Sequence, residues 1–120
     1  MPKEPFAHDA VLWMADGADD RAPGGAITAA LCGNWEHEPL CPLAPHHTAT
    51  ERIGGELRLR VLFAAERADE PRVRARIDEA LAEGTGATPD GGTTTWRLVS
   101  AGASGVRPEE QEHAGRLTRG

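Results

Sequence analysis

Hydrophobic and polar positions alternate most regularly between residues 56 and 66, where Leu57, Leu59, Val61 and Phe63 fall on one side and Arg58 and Arg60 on the other. A period of two sends successive side chains to opposite faces of a pleated strand, so this segment predicts a strand with one buried face. Residues 7–15 follow a different rule. Ala10, Val11, Leu12, Trp13 and Met14 form a nearly unbroken apolar run between Pro5 and Asp16-Gly17, the pattern of a central strand covered on both faces. A third pattern begins at Asp69. Val73, Ile77, Ala80 and Leu81 recur at helical spacing behind an Asp N-cap and Pro71, and Gly84 supplies a stop, which predicts a helix over residues 70–83.

Weaker patterns fill the rest. Residues 94–100 predict a final strand with Trp96 and Leu98 on one face and Val99 on the other, reached by a right-handed crossover through the helix. Residues 26–32 read as a short strand, because Pro23-Gly24-Gly25 marks a loop and the few residues before Gly33 are short for a helix. Pro39, Pro42 and Pro45 exclude a regular element from residues 33–55, leaving a long loop. The expected fold is a small α+β domain over residues 1–100, a mostly antiparallel sheet in the order β-β-β-α-β with one principal helix. A ferredoxin-like plait is the alternative if residues 24–32 are helical and part of 33–45 is a strand. Residues 101–120 are poor in large apolar side chains and read as a flexible tail.

Composition adjusts this picture in three places. A chain of 120 residues supports one core, and with five Phe and Trp and no Tyr that core must be built from Leu, Val, Ile and Ala. Twelve Arg against a single Lys is the usage of a high-GC bacterial genome, so the arginines say little about nucleic acid. The net charge of −6 weighs further against a phosphate-backbone binder. Arg72, Arg74 and Arg76 share their helix with Asp78, Glu79 and Glu83, and Arg74 can pair with Asp78 four residues on. No apolar stretch is long enough to span a bilayer and the N-terminus lacks a signal-peptide pattern, which places the protein in the cytoplasm, off the membrane.

The charge is also unevenly distributed. Residues 1–51 hold two basic and eight acidic side chains, both Cys and four of the five His. Thiols and imidazoles in a negative field favour a bound cation. From 32 to 47 the chain reads C-G-N-W-E-H-E-P-L-C-P-L-A-P-H-H, so Cys32, His37, Cys41 and one of His46 or His47 supply two thiolates and two imidazoles, a tetrahedral set suited to zinc. The intervals are wider than the tight pairs of ordinary zinc fingers. Glu36, Glu38 and Glu51 can accept from the imidazole N–H groups. His8 can approach the set through the fold, whereas His113 falls in the expected tail.

Trp35, Leu40 and Leu43 are the apolar groups of this polar segment and are its candidate partner anchors. The expectation is thus a zinc-braced interaction or regulatory domain without catalytic activity that engages a protein partner through this segment; a further class is a homo-oligomer that associates through an exposed sheet edge or face. The alternative is a small metal- or Cys-dependent enzyme, in which three ligands leave a water on the metal and Glu36 or Glu38 acts as base. Serine hydrolysis and a phosphate loop find no support, since neither a nucleophile elbow nor a Gly-Lys-Ser/Thr run is present.

Overall fold

The computed structural model describes residues 3–15, 17–32, 46–88 and 91–119. Its elements follow as β1 (Glu4–Trp13), α1 (Arg21–Cys32), β2 (His46–Ile53), β3 (Glu56–Ala65), α2 (Glu70–Ala82), β4 (Thr85–Ala87), β5 (Thr93–Thr95), β6 (Arg97–Ser104) and α3 (Gln111–Arg119). Four strands form an antiparallel sheet in the order β2-β3-β1-β6, and β4 and β5 pair as a separate two-stranded sheet. Because β1 is antiparallel to both β3 and β6, the strands joined through α2 run parallel with β1 between them. The same holds for β1 and β2 around β3.

The alternation in β3 is realised as expected. Leu57, Leu59, Val61 and Phe63 meet Leu12 and Ala10 of β1 under the buried stripe Val73, Ile77 and Leu81 of α2. Ile27 and Leu31 of α1 complete this inner side. Gly84 ends α2 with φ of 72°, and a Cβ there would lie 2.8 Å from the carbonyl oxygen of Trp96, so only glycine fits. Trp96 itself is buried between the short sheet and α2, its indole N–H donating to the Leu81 carbonyl at 2.8 Å.

Three expectations are corrected. Residues 26–32 are helical, the end of a 12-residue helix whose start lies in the supposed loop. Pro23 falls in the first turn, where its missing N–H costs nothing, and the Asp19 carboxylate accepts the Arg21 N–H at 2.9 Å. Residues 46–53, assigned to the loop, form β2. This edge strand pairs only with β3, so it needs no apolar stripe, and its polar sequence hid it. Residues 101–119 are not a free tail: β6 runs to Ser104, and α3 lies on the outer side of the sheet with Ala114 buried. The order β-β-β-α-β therefore gives way to β-α-β-β-α-β-β-β-α. Among the described residues no helix is long and apolar enough to cross a membrane.

Candidate functional site

The candidate ligands bracket the junction between α1 and β2. Cys32 is the last residue of α1 and His46 the first of β2. Trp35, His37, Leu40, Cys41 and Leu43 lie outside the described residues, as does the side chain of Cys32. At the base of the junction the imidazole Nε2 of His46 meets the Thr28 hydroxyl at 3.1 Å. Thr28 precedes Cys32 by four residues, one helical turn. A groove of about 340 Å³ opens beside this contact, with Asp20, Thr28, His46 and Thr48 among its walls. The Asp20 carboxylate is held by Arg52, which also donates to the carbonyl oxygens of Ala15 (2.9 Å) and Gly54 (2.7 Å), tying β2 to the chain entering α1.

His46 and His47 diverge, as neighbours on a strand must. His46 turns inward to α1, and His47 outward to α3, where its ring lies 4.4 Å from that of His113. Burial and, behind it, the charge of His113 hold the His47 imidazole below its ordinary range. The two neighbours therefore do not converge on one ion. Among the described residues no three His, Cys, Asp or Glu side chains are grouped to hold a metal.

Two other polar clusters escaped the sequence reading. His8 is buried beneath α2: its Nε2 meets Asp78 Oδ1 at 2.8 Å and its Nδ1 meets Arg74 Nη1 at 3.0 Å. Arginine only donates, so Nδ1 accepts and the proton sits on Nε2, donating to Asp78. Both ring nitrogens are occupied, which removes His8 as an additional ligand. The expected Arg74–Asp78 pair is likewise replaced. Arg74 turns to Glu70 at 2.8 Å, and Asp78 serves His8.

On the outer side, Arg60 uses all five N–H donors. Glu110 takes two at 2.7 Å each, Asp9 one at 2.8 Å, Ser104 one at 3.0 Å and the Gly105 carbonyl one at 2.6 Å. Its side chain is 12% exposed and that of Glu110 17%. The Arg60 fork holds the Glu110 carboxyl down at about 2, and Glu110 in turn raises the Arg60 guanidinium. Arg58 and Arg60 thus face away from α2 and its arginines. The signal for this cluster was a charged side chain in a strand flanked by apolar neighbours, whose partners lie 44 to 51 residues away.

No family model, curated protein or solved structure matches the chain. What these residues can do rests on their own geometry.

Proposed function

We propose that the chain is a small interaction or regulatory domain without catalytic activity, in which zinc bound by Cys32, His37, Cys41 and His46 braces residues 33–45, and Trp35, Leu40 and Leu43 of that segment engage a protein partner. The observation that carries the reading is the 3.1 Å contact between Thr28 and His46, which brings the two ends of the ligand stretch to one junction. A histidine that ligates zinc through one ring nitrogen ordinarily has the other held by a polar neighbour, and Thr28 is placed to be that neighbour. Two thiolates and two imidazoles fill a tetrahedral shell, which makes the site structural and leaves no position for a substrate. His47 is outside the set, engaged instead with His113. The path β1-α1-β2-β3-α2-β6 and the order β2-β3-β1-β6 support reading the fold as a ferredoxin-like plait, with the β4–β5 hairpin and α3 as additions. The cytoplasm, with its reduced thiols, is the compartment that suits this ligand chemistry.

Native mass spectrometry of protein purified without chelator tests the site. One zinc per chain is expected, lost in Cys32→Ser, Cys41→Ser and His46→Ala but retained in His47→Ala. A folded, metal-free wild-type protein overturns the reading. A zinc that survives loss of any one of the four ligands would instead mark a three-ligand site with an open position, the arrangement of a catalytic metal.

A further inference from the structure

Strand register sorts the outer side of the sheet into rows, since residues directly opposite each other point to the same face. The row His47–Leu62–Ala7–Ser104 and the row Ala49–Arg60–Asp9–Gly102 lie at the α3 end, where Leu62 and Ala7 are buried. Beyond them, Glu51–Arg58–Val11–Ser100 and Ile53–Glu56–Trp13–Arg97 form two rows at the other end. Here large apolar groups stay in water: Trp13 is 54% exposed and Ile53 49%, and Val99 in the adjacent bulge is 58% exposed. A tryptophan so exposed in a central strand marks a face that still has something to bury.

We infer that this uncovered half of the sheet binds the same half of a second copy of the chain, face to face across a twofold axis perpendicular to the strands and midway between the two rows. That axis sets each row over the other. Val11 then meets the second copy's Trp13, and Trp13 its Val11. On β3, Arg58 meets the second copy's Glu56, and Glu56 its Arg58. The two central strands of the patch are thus self-complementary in apolar and charged groups, as a twofold interface requires, while at its margins the same axis sets Glu51 against Ile53 and Ser100 against Arg97.

Shape agrees. α3 rises from the sheet by one helix diameter, about 10 Å, and packed sheets stand about 10 Å apart, so each helix occupies the layer of the other copy's sheet beyond its end. The same rotation carries the second copy's Gly54–Gly55 turn over a groove of about 540 Å³ walled by Ala49, Glu51, Arg58 and Arg107. Two rows across four strands span roughly 13 by 19 Å, about 250 Å² on each copy and well below the roughly 800 Å² per partner of a standard interface, so the dimer is weak and forms and dissociates with concentration.

The dimer goes beyond the zinc reading and does not depend on it, because residues 33–45 take no part. Sedimentation equilibrium from about 5 to about 500 µM should show a monomer–dimer equilibrium, unchanged by chelator. Glu56→Arg and Arg58→Glu should each give a monomer by placing like charges opposite one another. Both residues sit on the surface, so circular dichroism should show each variant folded. Mixed in equal amounts, the two variants carry complementary charges and should associate as a heterodimer at least tenfold more tightly than either alone. A wild-type monomer throughout the range overturns the proposal. So does a dimer that both reversals leave intact, or a mixture that associates no better than its components.

Discussion

Replacing Glu110 with Gln isolates what holds α3 to the sheet. The amide keeps the shape and one accepting oxygen but removes the charge that Arg60 grips with two donors, both at 2.7 Å. Arg60, with a smaller contribution from the Arg107 N–H and charge, lowers the Glu110 carboxyl from 4.5 to about 2, and each unit of such a shift corresponds to about 1.4 kcal/mol, so the folded state favours the ionised form by about 3 kcal/mol. The remaining amide contacts return part of this, leaving an expected cost of about 2–3 kcal/mol at pH 7. The sign follows from the depressed value: the stabilisation is complete above 4.5 and is lost as pH falls toward about 2. Urea unfolding of wild type and Glu110→Gln should therefore show a gap at pH 7 that has lost about 2 kcal/mol by pH 3. Hydrogen exchange in the variant should rise first across residues 105–119. A gap below about 0.5 kcal/mol, the scale of an ordinary surface pair, or one that does not change with pH, would refute the argument.

Two further outcomes follow from the other polar clusters. His8→Ala strips the sheet-to-α2 link of two part-buried hydrogen bonds made by a buried ring and should cost about 2 kcal/mol in thermal unfolding; Asp78→Ala, acting at a half-exposed carboxylate, should cost less, and the reverse ranking would show that His8 is not the keystone. Because the folded His47 value is lowered by burial and by His113, its contribution to stability is complete above the ordinary 6.5 and declines as pH falls below it. Nuclear magnetic resonance titration should place the His47 midpoint below 6.5 and move it upward in His113→Ala, whereas a midpoint above 6.5 contradicts the assigned environment.

What the amino-acid pattern disclosed was set by burial. β1, β3 and α2 carry the inner face of the core, so their apolar spacing had to match their geometry, and they stand close to where that spacing put them. β2 is an edge strand, and α3 is a short helix anchored by one buried alanine and an arginine fork, so neither needed a pattern strong enough to read. α1 failed for a different reason. Its glycines and proline look like a breaker run, yet proline in a first turn is compatible with a helix, and small residues let α1 approach α2 closely. The polar pairs were invisible because each joins residues far apart in sequence, as His8 and Asp78 do across 70 positions.

The two halves of the outer sheet face then make physical sense together. Where Arg60 stands, a charged strand residue is fully satisfied within the chain, and α3 closes over it. Two residues earlier, Arg58 occupies the same face at 57% exposure with an ion pair to Glu56, and its neighbours on β1 are Val11 and Trp13. A charge completed by its own chain seals one half. A charge left to an exposed pair beside unburied apolar groups leaves the other half open to a second protein surface.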